Sequence, residues 1–285
     1  MADSMDLIER AAARLKKDKP QTLADMVATF APKPEQPSAP SEDHVATGPE
    51  IVTLDARRMA AAGLLDWSDD GSAVIEELRV IKRRLVQKAF AAGADPRQRL
   101  ILVASTKPKE GKTFVSTNLA LSMSVEEDYG VLLIEADTKR RTLERNLGVD
   151  DRPGLIDLIA DPRAKVSDLV LKTNIPKLSI LPAGRTHEQT AELFASRRMR
   201  DVVDELSRLY RDRIIIFDGP PCLASSDPQT LSALVGQVLY VIEAGTTQQN
   251  EIEAGLGLLS CPDISLLLNK SEPSLTRGFG NYAFY

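Results

Sequence analysis

A short apolar run at 100–104 leads directly into Ser105-Thr106-Lys107-Pro108-Lys109-Glu110-Gly111-Lys112-Thr113, and a helical pattern follows at 113–124. A strand, a turn and a helix in that order turn backbone N–H groups and a helix N-terminus toward a single point, which is what phosphate oxygens require. Gly111-Lys112-Thr113 is therefore expected to cradle nucleotide phosphates, with the Lys112 ammonium beside the β- and γ-phosphates and the Thr113 hydroxyl on magnesium. The expected nucleotide contacts are Pro108, Lys109, Glu110, Gly111, Lys112, Thr113 and Phe114. The first glycine of the usual G-x-x-x-x-G-K-[ST] spacing is missing, because Thr106 stands there.

Two carboxylates lie where apolar runs end, as phosphoryl transfer requires. Asp218 closes Ile214-Ile215-Ile216-Phe217 and precedes Gly219-Pro220-Pro221. It reads as the Walker B aspartate, holding magnesium through water. Asp137 follows the run 131–136, where an isolated aspartate is ordinarily a helix cap. Its place in the same alternating pattern as the phosphate loop favours a functional role instead. The expected catalytic groups are Lys112, Asp137 and Asp218, and the expected metal ligands Thr113, Asp137 and Asp218.

These residues need a scaffold that brings several strand ends to one rim. Apolar runs at 100–104, 131–136, 178–181, 214–218, 238–243 and 264–269 alternate with helical patterns, notably at 113–124, 198–210 and 247–260. Strands that are apolar throughout imply burial on both faces, hence an α/β fold with a mostly parallel sheet between two helical layers. Ligands of such sheets bind at the carboxyl ends of the strands. A further helical pattern covers 72–90. The expected organisation is an N-terminal amphipathic segment at 1–30, a Pro-rich disordered linker at 31–50, a folded domain at 51–270 and a mobile Tyr-containing tail at 271–285.

Bulk properties bound the function. The 285 residues carry a net charge of −5, which argues against a nucleic-acid backbone as the main partner. No apolar run approaches the ~18–20 residues of a membrane span, and the N-terminus has no apolar core of a secretory signal. Two cysteines, Cys222 and Cys261, cannot make a disulfide framework and read as small core residues of a cytoplasmic protein.

Taken together, these motifs resemble the bacterial tyrosine autokinases (BY-kinases), built on the MinD/ParA-like P-loop fold. The loop pattern is answered by Ser105, Pro108, Glu110, Gly111, Lys112 and Thr113. The second Walker-like strand, ending Asp-x-Asp-x-Arg in the family, is answered by Glu135-Ala136-Asp137-Thr138-Lys139, and the Walker B ending by Asp218-Gly219-Pro220-Pro221. The helix used for oligomerisation, Glu-x-x-Arg-x-x-Arg, is answered by Glu76, Arg79 and Lys82. The opening LIERAAARL, the EELRVIKRRL helix and NIPKLSILPAGR look like the subgroup associated with exosortase-type exopolysaccharide systems. The resemblance implies ATP and Mg2+ as cofactors, and autophosphorylation between subunits on Tyr282 and Tyr285. It also implies Asp137 as general base or magnesium organiser, a homo-oligomer, and a separate transmembrane modulator that brings the chain to the inner membrane.

The sequence departs from that pattern at four points. Lys109 replaces the common loop glycine, and Lys139 and Lys82 replace arginines, which loses bidentate pairing. Glu135 replaces an aspartate, and one extra methylene is expected to displace a carboxylate from its catalytic place. Several further residues have two readings each. Lys107 is either the signature lysine that reaches a partner's nucleotide or a solvated loop lysine. Asn269 either hydrogen-bonds adenine or starts a turn. Lys139, Arg140, Arg141 and Arg145 form either an attractor for an acidic tail or a solvated basic face. His44 and His187 have no second metal ligand nearby. Two rivals to the kinase are a MinD/ParA-type positioning ATPase and a nucleotide-sensing regulator with weak or no transfer. Under the latter, restoring Asp at 135 is expected to create activity.

Overall fold

A computed structural model of the chain describes residues 51–64, 73–185, 187 and 189–271. The expected N-terminal segment and linker, and the tail with Tyr282 and Tyr285, lie outside the described residues. The centre of the fold is four strands: β2 (Leu100–Ser105), β3 (Gly130–Glu135), β6 (Arg213–Pro221) and β7 (Gln237–Glu243). Each is buried over almost its whole length because both faces are covered. Alternate residues serve opposite layers, as the two-residue period of a strand demands. Ile101, Val103, Val131, Leu133, Ile214 and Ile216 enter one core, and Leu100, Leu102, Leu132, Ile134, Ile215 and Phe217 the other.

Outside this centre lie β1 (Ile51–Val52), β4 (Leu171–Thr173), β5 (Leu178–Leu181) and β8 (Ile264–Asn269). The eight-stranded order is β1-β4-β5-β3-β6-β2-β7-β8. Every pairing is parallel except β4 with β5, whose short connection at 174–177 allows a return that a parallel pair could not make. The pairs β1 and β4 are the strands that hydrophobic pattern did not reveal, at two and three residues too short to carry one.

The helices that matter for the site are α1 (Ala56–Ala61), α2 (Ala73–Ala89), α3 (Lys112–Ser124), α4 (Thr142–Leu147) and, after β7, α5 (Gln249–Leu256). Asp55 caps α1 by accepting from the amides of Arg57 and Arg58 at 2.9 and 3.1 Å. Helix α3 is buried on nearly every side, between the central strands and α2, which explains its lack of a polar stripe. The amphipathic helix Arg197–Leu209 covers the opposite layer through Met199, Val202, Val203 and Leu206.

The crossing from β2 through α3 to β3 passes over β6, so the order at the centre is β3-β6-β2. The register sets Glu135 level with Asp218 across β3 and β6, and Asp218 level with Val103 across β6 and β2. Two carboxylates thus arrive at the height where β2 gives way to the phosphate loop.

Among the described residues no helix is long and apolar enough to cross a membrane. Of the expected oligomerisation residues, Glu76 pairs with Arg79 within α2. Lys82 is turned inward: its side chain is only 14% exposed, and its ammonium lies 2.5 Å from Glu126 Oε1 and 3.3 Å from the Ser122 carbonyl. Lys82 therefore holds α2 to α3 within the subunit. The exchange from arginine suits that compact contact, which needs a point charge and no fork.

Candidate active site

The loop 106–111 takes its shape from bonds that hold it from one side. Its two left-handed residues are Lys109 (φ 71°) and Gly111 (φ 97°). Gly111 is required there twice over, since a Cβ would also stand 2.1 Å from Asn269 Nδ2. The Asn269 amide donates to the Glu110 carbonyl at 2.9 Å, and Lys270 Nζ to the Lys109 carbonyl at 2.8 Å. The buried Glu110 carboxylate accepts from the Lys107 amide at 2.6 Å and from the Thr247 hydroxyl. Thr106, standing where a glycine is usual, shares a 2.9 Å hydrogen bond with Tyr240 OH. Pro108 is exposed at the loop's apex.

Two expected nucleotide contacts, Glu110 and Asn269, hold the loop, a third, Pro108, is exposed on it, and Lys109, Gly111, Lys112, Thr113 and Phe114 line a cavity of about 240 Å3. Asp137 lines it too, with Arg140, Thr142, Asn146 and Ala62. Thr142 and Asn146 escaped the sequence reading, although their i, i+4 spacing would put both on one helix face. Ala62 carried no signal, since only tertiary structure brings the end of α1 to this rim.

Lys109 adopts a backbone conformation that costs an L-residue about 1–2 kcal/mol. Lys109→Gly is expected to raise stability by about 0.5–1 kcal/mol, the relief of strain less the extra freedom of glycine in the unfolded chain. Urea unfolding of the two proteins measures it, and a loss of stability would mean that the lysine side chain makes a compensating contact.

Lys112 is buried, and its ammonium donates to Ser105 Oγ at 3.1 Å. Burial lowers its pKa, against the opposing pull of Asp218, Asp137 and Glu110. Asp218 is fully buried, and among the described residues neither carboxylate oxygen has a hydrogen-bond partner. The hydroxyls of Thr113 and Ser116 and the Lys112 ammonium moderate its charge without reaching hydrogen-bond geometry, and burial still pushes its pKa up to about 6. A buried carboxylate without a partner is rare in folded proteins and points to a cation or ordered water. Asp137 accepts from the Arg140 amide at 3.2 Å, with the Arg140 guanidinium 3.5 Å away, and stays at the cavity wall. Glu135 is fully buried beside Asp218. Burial, then the Asp218 charge, raises its pKa, and a hydrogen bond from the Leu143 amide opposes them.

The open alternatives resolve as follows. Lys107 is partly exposed, and its ammonium is paired with Glu251 of α5 at 2.6 Å within the subunit. Of the basic cluster, Arg140 faces the cavity, whereas Arg141 donates to the Gly184 carbonyl and Arg145 to the Thr142 hydroxyl at 3.4 Å. The His187 ring accepts from the Gln189 amide at 3.2 Å and its carbonyl from the Thr190 hydroxyl at 2.5 Å.

A glycine-turned loop before a helix, a buried lysine, an aspartate just past the end of β3 and another within neighbouring β6 define a P-loop nucleotide-binding protein of the MinD/ParA-like class. A family model described as an AAA domain matches residues 98–247, more than half of the chain, and the chain belongs to that family. The chain is similar to the tyrosine-protein kinase ptk of Acinetobacter johnsonii, 31% identical over 189 residues that make up 66% of this chain and 24% of that protein. It thus spans about a quarter of that relative's length. Among solved structures it resembles the VpsO kinase domain, with 29% identity and a TM-score of 0.56 over 70% of this chain and 100% of that one. It also resembles the septum site-determining protein MinD of Pyrococcus horikoshii OT3 complexed with Mg-ADP. There the identity is 26% and the TM-score 0.50, covering 63% of this chain and 76% of that one.

Proposed function

We propose that this chain is an ATP-dependent protein-tyrosine kinase that phosphorylates its own C-terminal tyrosines between subunits. The observation that supports nucleotide chemistry best is Asp218, buried beside Lys112, level with Val103 of β2 and without a hydrogen-bond partner among the described residues. Transfer to tyrosine, in preference to hydrolysis, is supported by the likeness to kinases over 66% of the chain and by Tyr282 and Tyr285 near its end. The pairing of Lys107 with Glu251 within the subunit weighs against the positioning-ATPase reading, which needs that lysine free for a neighbour.

The donor set fits a hard cation, since Thr113, Asp137 and Asp218 offer only oxygen. Magnesium, when bound, would neutralise charge on the phosphates. The rest falls to the chain's own residues. Lys112 and the amides at the start of α3 would hold the γ-phosphoryl group, and Arg140 would screen charge at the cavity mouth. A tyrosine oxygen would form the new bond to phosphorus as the bond to the β-phosphate oxygen breaks, with ADP leaving and the phenolic proton passing to Asp137. Catalysis of this kind is positioning and charge stabilisation.

The proposed organisation is a kinase domain at 51–270, preceded by the segment 1–30 and linker 31–50 and followed by the acceptor tail 271–285. Glu76 and Arg79 remain proposed contacts between subunits, with Lys82 acting behind them. The wider setting is control of exopolysaccharide synthesis or export with a separate membrane-embedded modulator. Mixing a Lys112→Met chain with one carrying Tyr282→Phe and Tyr285→Phe tests the central claim. Phosphotyrosine is expected on the Lys112→Met subunit by mass spectrometry, and its absence there would sink transfer between subunits.

A further inference from the structure

Glu135 has no role in the site as described so far, although it is the largest departure from the pattern the chain resembles. Both of its oxygens are occupied. Oε1 accepts from the Asp137 amide at 3.1 Å, an amide it shares with the Asp218 carbonyl at 3.1 Å, and Oε2 is the acceptor for the Leu143 amide at 2.8 Å. These two amides bracket the turn 137–143, which supplies Asp137, Arg140 and Thr142 to the cavity wall. Leu143 belongs to the first turn of α4, and the side chain of its N-cap residue, Arg141, donates elsewhere and does not cap the helix's first amides. The carboxylate from β3 therefore does the work of a missing cap, satisfying an amide that the helix leaves unpaired.

The residue type follows from that task. Two N–H donors converge on one side chain, and a carboxylate offers two acceptor oxygens where a carboxamide offers one and turns a donor toward the other N–H. Burying a charge beside Asp218 is costly, so packing alone would favour a neutral residue. Length matters as well, since an aspartate would draw its oxygens back by about one C–C bond, ~1.5 Å. It could not span both amides without moving the turn.

We propose that Glu135 is a positioning residue: its carboxylate clamps the amides of Asp137 and Leu143 and thereby fixes where Asp137 and Arg140 stand in the phosphate cavity. This reverses the expectation drawn from sequence. The extra methylene is what the turn needs, and Glu135→Asp impairs the site. The assignment rests on the kinase reading only where catalysis is measured.

The experiment uses the full chain, wild type, Glu135→Asp and Glu135→Gln. In nucleotide-free protein, hydrogen exchange of peptides covering 136–143 is expected to quicken on the order of 10-fold in both variants, with peptides from β2 and β6 unchanged. With a fluorescent ADP, the magnesium concentration for half-maximal binding is expected to rise on the order of 10-fold in Glu135→Asp, while magnesium-free binding stays within about 2-fold. The kcat for phosphotyrosine formation is expected to fall on the order of 10- to 100-fold, as a displacement near 1 Å implies. The Asp137 amide also has the Asp218 carbonyl as acceptor. An unprotected Leu143 amide in the wild type would overturn the clamp whether or not the variants fold. So would Glu135→Asp matching the wild type in exchange and magnesium requirement, or losing magnesium-free binding in parallel. A wild-type chain that forms no phosphotyrosine counts against the kinase reading alone, because the exchange and magnesium measurements do not depend on it.

Discussion

Asp218→Asn is expected to raise the stability of the nucleotide-free protein at pH 8 while impairing the proposed phosphoryl transfer. Asp218 has an ordinary pKa of 3.8 in the unfolded chain and about 6 in the fold, so the native state binds the proton more tightly. Its contribution favours the fold fully below pH 4 and is lost as pH rises through about 6. Above that, the buried charge costs about 2–3 kcal/mol, at ~1.4 kcal/mol per unit. An asparagine of the same shape removes that cost and can exchange hydrogen bonds with the nearby Thr113 and Ser116 hydroxyls. The gain is expected to grow between pH 4 and pH 7 and then level off, with a rise in Tm of roughly 5–10 °C at the plateau. Activity is expected to fall at least on the order of 100-fold, as for other groups that hold transition-state charge. Thermal unfolding of both proteins between pH 4 and 8 decides the matter: a variant less stable at pH 8 would mean that Asp218 is satisfied in the ligand-free fold.

Sequence was informative where a residue's task is local. Six strands were legible as apolar runs, five because both faces are covered and β8 although Leu266 and Leu268 stand exposed at the sheet edge, and 178–181 and 264–269 match β5 and β8 at both ends. The phosphate loop was legible through Gly111-Lys112-Thr113 between a strand and a helix, and Asp137 and Asp218 through their places at strand ends. What escaped depended on distant partners. Glu110 and Asn269 were legible as candidate nucleotide contacts, but the bond that joins their segments across 159 residues was not. Lys82 looks like part of an exposed helix motif until α3 is packed against it. Glu135 reads as a flawed aspartate as long as the Leu143 amide, eight residues on, is not seen to need an acceptor. The short edge strands and α1 carry too few residues for any periodicity.

Lys112→Met is expected to cost more in catalysis than any other single change, on the order of 1000-fold in kcat, since it removes the buried cation from the transferring phosphoryl group. Its effect on the ligand-free fold is less obvious and follows from the same electrostatics. Burial lowers the Lys112 pKa, so the ammonium by itself is a cost, while Asp218 and Asp137 offset that cost by their charge. Removing the ammonium pushes Asp218 further above about 6, because Lys112 is one of the groups that hold it down. The pH interval over which native stability falls must then extend upward. At pH 8, adding Asp218→Asn to Lys112→Met is expected to stabilise more than adding it to the wild type, by a coupling of about 1–3 kcal/mol. Below pH 4 the coupling should vanish, because Asp218 is then protonated in every background and offers the lysine no charge. A double-mutant cycle of urea unfolding at pH 4 and pH 8 measures it. Equal coupling at both values would show that packing, not charge, joins the two side chains, and Asp218 would lose its claim to be the site's anionic centre.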